Sequence, residues 1–218
     1  LAQPELAPGD NGQVSMSFSS LPSTSASEAT RDIKLNFLLT GIPVGTVGQQ
    51  PITVNEARTV KISSQVNFSS KILHSLGSFA NSGPIPPKVG EETTYTVNFS
   101  LGNTQGNLAD SKVTARLGPN VSWLGASSFA SENISYDSLT NTVTWDIGML
   151  LSDTGFSSAL REISFQVSLN PTLGQVGTAP TLITGIVFSG RDAIAGNTVT
   201  VSHQPLTTRL TDDPAFIQ

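Results

Sequence analysis

Apolar and polar positions alternate with a period of two along much of the chain, the spacing that sends every second side chain to one face of a β-strand. Tyr95, Val97, Phe99 and Leu101 alternate with Thr96, Asn98 and Ser100. Val113, Ala115 and Leu117 repeat the pattern, followed by Val143, Trp145 and Ile147, then by Ile163, Phe165, Val167 and Leu169, and finally by Val199 and Val201. Turn signals separate the runs: GNTQGN, LGPN, SLTN and GRDAIAGN. Short strands at this spacing predict an all-β antiparallel sandwich. Only ASEATRD at 26–32 has local helical character, and it is too short to matter.

The pattern is used twice. GQVSMSFSSLP at 12–22 matches REISFQVSLNP at 161–171, and ARTVKISSQ at 57–65 matches GNTVTVSHQ at 196–204. One further strand lies between each pair, DIKLNFLLTGI in the first copy and LITGIVFSG in the second; the first copy is longer by about ten positions, as a loop insertion would make it. The second copy is preceded by a front half at 91–150 with TTYTVNFSLGN and NTVTWDIGML, and the first has no counterpart of it. The expected organisation is therefore one incomplete module, residues 1–80, a Pro-rich linker at 81–90 stiffened by Pro84, Pro86 and Pro87, and one complete module at 91–218. Both ends read as cuts in a tandem array.

An incomplete module would leave an apolar face and two sheet edges in water. Val14, Met16, Phe18, Ile33, Leu35, Phe37 and Leu39 are the candidates for that face. Exposing such side chains costs ~1.5–3 kcal/mol each, more than a marginally stable domain absorbs. Three covers are open: strands from another chain, a preceding part of the same polypeptide, or the second module itself.

The run NSGPIPPKVGEETTYTVNFSLGNT, with VTARLGPNVSWLG, ISYDSLTNTVTWDIG and REISFQVSL, resembles the DUF11-like, immunoglobulin-like repeat domains of large bacterial cell-surface proteins, especially those of candidate-phyla (Patescibacteria) genomes. The likeness covers 81–216, and 6–80 is similar to the rear half of the same repeat; the strand from Gly90 to Val97 and the Trp145-Asp146-Ile147-Gly148 element are its most specific parts. It implies an immunoglobulin-like fold, an extracellular or cell-surface location, no enzymatic activity, and use in a filament, surface layer, stalk or adhesin. The expected partners are copies of the chain or adjacent modules. A surface glycan or host-cell ligand is the alternative, for an adhesin or carbohydrate-binding module.

Composition narrows the function further. A net charge of −5 with no basic stripe argues against nucleic acid. With no cysteine, disulfides and thiolate metal sites are excluded. No run approaches the roughly 20 apolar residues of a membrane span, and no signal peptide begins the chain, so any export signal is expected to be removed or to lie outside it.

Candidate chemistry is sparse. His74 and His203 stand in no HxxxH or HExxH spacing, and a G-x-S-x-G elbow is missing. Glu91 and Glu92 are adjacent, so a strand would send them to opposite faces. Asp110, Asp192, Asp212 and Asp213 are the carboxylates that could hold calcium, the only cofactor to weigh, but no D-x-[DN]-x-[DN]-G loop surrounds them. Lys88, Lys112 and Asn98 are the conceivable partners of an isopeptide bond, with Asn98 on the polar face of its strand. The sequons at Asn67, Asn98, Asn120 and Asn133 are expected by chance in so Ser-rich a chain. Trp145 is expected in the core; Trp123, with Phe129 and Tyr136, is either core or a glycan-stacking surface.

Overall fold

The computed structural model describes residues 5–7, 9–17, 32–44, 50–61, 65–213 and 215–216. Among them, β1 (Asp32–Gly41) and β2 (Ile52–Lys61) form a two-stranded antiparallel sheet of their own. The remaining strands are β3 (Gln65–Leu73), β4 (Thr93–Gln105), β5 (Leu108–Leu117), β6 (Val121–Ser127), β7 (Asn133–Asp137), β8 (Thr142–Leu150), β9 (Arg161–Leu169), β10 (Thr181–Asp192), β11 (Thr198–His203) and β12 (Leu206–Thr207). They build an immunoglobulin-like sandwich. One sheet runs β3-β4-β9-β6, and the other runs β11-β10-β5-β8-β7 with β12 also on β10. Among the described residues, no helix is long and apolar enough to cross a membrane.

The period-two pattern explains how the sheets close. Tyr95, Val97, Phe99 and Leu101 of β4 point inward beside Ile163, Phe165, Val167 and Leu169 of β9, and all are buried. Val113, Val143, Trp145, Ile186 and Phe188 meet them from the other sheet. Phe99 stands edge-on to both Phe165 and Phe68, with ring centroids 5.5 and 5.7 Å apart. At ~1.5–3 kcal/mol for each large apolar side chain buried, this core is the main source of stability in a chain without disulfides. The turns also follow local chemistry. Asn120 in LGPN and Asn141 in SLTN take left-handed φ values of 62° and 57°, a conformation asparagine tolerates well.

β3 lies in sequence within the segment read as the first module. It pairs along β4 from Leu73 opposite Thr96 to Gln65 opposite Gln105, and buries Phe68 and Ile72 in the sandwich core. Pro84, Pro86 and Pro87 therefore stand in the β3–β4 connection, residues 74–92. That connection straps the outer face of β4 and β9. Asn81 Nδ2 donates to Thr96 Oγ1 at 2.9 Å, Ser82 N to Thr94 Oγ1 at 2.7 Å, and Gln166 Nε2 to Ala80 O at 3.1 Å. The strap is why outward-facing Thr94, Thr96 and Ser164 are buried.

The strand expected at 57–65 is displaced. Pairing with β1 starts β2 at Ile52 and carries it to Lys61, while Gln65 already belongs to β3. Of the strand expected at 12–22, residues 12–17 carry no ladder and 18–22 lie outside the described residues.

Candidate functional site

The register of β1 on β2 decides which side chains share a face. Leu35 opposes Arg58, Phe37 opposes Glu56, Leu39 opposes Val54, Ile33 opposes Val60 and Gly41 opposes Ile52. Because side chains alternate, Ile33, Leu35, Phe37, Leu39, Ile52, Val54 and Val60 fall on one face. Asn36, Leu38, Thr40, Thr53, Asn55, Ala57 and Thr59 lie on the other, which is mostly polar, with Thr40 and Thr53 facing each other across the strands. The hairpin thus has an apolar and a polar side, and the apolar side is uncovered: Phe37, Leu39, Ile52 and Val54 are 39, 68, 59 and 55% exposed. Within it, Arg58 and Glu56 form an ion pair at 2.9 Å.

The β10–β11 hairpin, its expected counterpart in the second copy, has a cover in place. Phe188 opposes Val201 and Ile186 opposes His203. Here the sheet carrying β3 lies over the inner face: His203 stacks on Phe68 at 4.6 Å and its Nδ1 is 2.7 Å from Ser70 Oγ. Ile186 and Phe188 are fully buried. The difference between the two hairpins is the second sheet.

Among the other residues expected on the assembly face, Val14 and Met16 are 49 and 60% exposed in a segment with no ladder, and Phe18 lies outside the described residues. Ile52 and Val54 were missed because β2 was placed too late in the chain, and Val60, inside the expected strand, was not assigned to the face. The alternation in PITV was the available signal, and Glu56 and Arg58 interrupt it.

Several of the remaining polar candidates have structural partners. His74 Nδ1 lies 3.0 Å from Thr94 O. Asp192 Oδ1 accepts from the N–H groups of Ile194 and Ala195, and Asp110 pairs with Arg191 at 3.3 Å. Asp213 accepts from the N–H groups of His74 and Ser75, both at 2.7 Å, and from the Ser75 hydroxyl. Burial pushes its carboxyl up, but these hydrogen bonds and one from Ala215 N outweigh it and hold the pKa at about 2. No group of three or more His, Asp or Glu side chains converges among the described residues. Lys88 and Lys112 are exposed, and Asn98 Nδ2 donates to Ser164 Oγ at 3.0 Å.

Trp145 is in the core, as its alternation predicts, and its indole N–H donates to Glu132 Oε2 at 2.7 Å. Trp123 stacks on Tyr136 at 5.8 Å and packs beside Phe165; both rings are half-buried, and Phe129 is exposed. At the pole of the sandwich where β3 ends, Pro86, Pro87, Lys88, Pro171, Pro180 and Arg209 line part of a groove of about 630 Å³.

No protein-family model and no curated protein sequence matches the chain. Solved structures similar to it in part include an RrgA complex and a BcpA pilin. The RrgA Jo.In complex is 8% identical with a TM-score of 0.36, covering 59% of this chain and 88% of that one. The major pilin subunit BcpA of Bacillus cereus, in its D312A form, is 11% identical with a TM-score of 0.40, over 78% of this chain and 48% of that one.

Proposed function

We propose that the chain is a structural subunit or repeat segment of an extracellular bacterial assembly, a filament, surface layer or stalk, built by completing sheets between modules or chains. The uncovered apolar face of β1–β2, where the β10–β11 hairpin buries Ile186 and Phe188 completely, is the observation that carries this reading. In the proposed organisation, residues 1–80 are the rear half of a module whose last strand, β3, pairs into the following sandwich, and the resemblance of 81–216 to DUF11-like surface repeats supports the extracellular, non-enzymatic role. The function is mechanical, since ladder hydrogen bonds and apolar burial hold the units together.

Electron microscopy and sedimentation of the full chain, beside its Leu35→Asp variant, test the proposal. Fibres or a lattice formed by the parent and lost in the variant are expected. A parent chain that remains monomeric at all concentrations, alone and with its native neighbours, would overturn it.

The second reading is an adhesin or carbohydrate-binding module centred on Trp123, Tyr136 and Phe129. The exposure of Phe129 favours it, while the stacking of Trp123 on Tyr136 leaves less ring surface for a sugar.

A further inference from the structure

We infer that residues 11–17 of one copy add as a third strand to the free edge of β1 in a second copy, seating Val14 and Met16 on the apolar face of the hairpin. The inference rests on the assembly reading and names its donor, its acceptor and its partner.

The acceptor is defined by two properties found together. Among the described residues β1 is hydrogen-bonded on one side only, to β2, so no described strand pairs with its outer edge. From Leu35 to Gly41 that edge reads LNFLLTG, with neither a charge nor a proline to discourage pairing. The sandwich also has edge strands, β3, β6, β7 and β11, but the inner faces behind them are filled by the buried core. A strand added there would gain hydrogen bonds without covering an apolar face. At β1 it gains both.

The donor is defined by the same logic. Residues 11–17, NGQVSMS, are uncharged and alternate apolar with polar side chains, so one face of an added strand would carry Val14 and Met16. In the chain itself this segment forms no ladder with β1 or with any other described strand, and both side chains stay half-exposed or more. A two-stranded hairpin is marginal in water, whereas three strands with an apolar face hold together. A second copy supplies the third strand.

The absence of cysteine in the chain makes the test clean. Isotope-labelled Met16→Cys chains are mixed with unlabelled Leu35→Cys, Phe37→Cys or Leu39→Cys chains and oxidised, and cross-linked peptides are assigned by mass. Asn36→Cys, on the opposite face of β1, is the control. The expected result is a link between labelled and unlabelled chains for at least one of the three acceptor positions, at least tenfold above the control. The melt of the sandwich, followed by the fluorescence of Trp123 and Trp145, should be unchanged in every variant. Equal linking to Asn36→Cys overturns the inference, as does a bridge forming inside a single chain of a Met16→Cys, Phe37→Cys double variant. If no link forms while the parent still polymerises by sedimentation, the donor assignment fails and the assembly role stands. If no link forms and the parent is monomeric, both fail.

Discussion

Glu132 joins two elements through one carboxylate. It accepts from Arg161 Nε at 2.8 Å, from Arg161 Nη2 at 2.7 Å and from the indole of fully buried Trp145. Burial raises its pKa, but the Arg161 and Trp145 hydrogen bonds and the Arg161 charge together prevail and hold it below the usual glutamate range. Glu132→Gln removes the charge and leaves Arg161 with a weaker acceptor, so the sandwich should lose about 1–3 kcal/mol in denaturant melts. Asp213 is the matching case at the tail. Its folded pKa of about 2 lies below the ordinary aspartate value of 3.8, so its contribution is complete above that value and is lost as pH falls through about 2. The protection factors of the His74 and Ser75 amides, taken against the intrinsic exchange rate at each pH, should therefore fall between pH 4 and about pH 2, and Asp213→Asn should abolish that fall.

The two hairpins carry similar apolar side chains under opposite conditions. Phe188→Ala opens a cavity in a filled core and should cost the sandwich about 3–5 kcal/mol. Leu39→Ala, from a face already in water, should leave the melt of the isolated chain within about 0.5 kcal/mol of the parent and reduce polymer formation instead. Gly118 marks where element packing tolerates no side chain. A Cβ there would collide with the carbonyl oxygen of Thr181, and the Gly118 N–H donates to Leu182 O at 2.9 Å. Gly118→Ala must push the start of β10 away, and a lowered melting temperature is the expected readout.

The sandwich as a whole begins at β3. Phe68 and Ile72 are buried, and the strap that follows them seals the outer face of β4 and β9. A fragment of residues 65–218 should melt as one cooperative unit close to the full chain. A fragment of residues 81–218 should melt several kcal/mol lower, because it loses both side chains, at ~1.5–3 kcal/mol each, along with an entire ladder. Equal stability of the two fragments would mean that β3 contributes nothing to the fold.

Sequence alone determined the fold class and much of the core. Alternation is local, so Tyr95, Val97, Phe99, Trp145 and Phe165 declare their common face without reference to any partner, and the Asn120 and Asn141 turns declare theirs. Tertiary structure decided which strands become neighbours. Nothing in QVNFSSKIL says that it belongs beside β4, and nothing in ANSGPIPP distinguishes a linker from a strap held at Ala80, Asn81 and Ser82 by Gln166, Thr96 and Thr94. It likewise fixed Ile52 and Val54 on the hairpin face through their register with β1, and brought Asp213 to His74 across 139 positions. Period-two patterning records which side of a strand is apolar, whereas hydrogen-bond register and long-range pairing are set by the cooperative closing of the core.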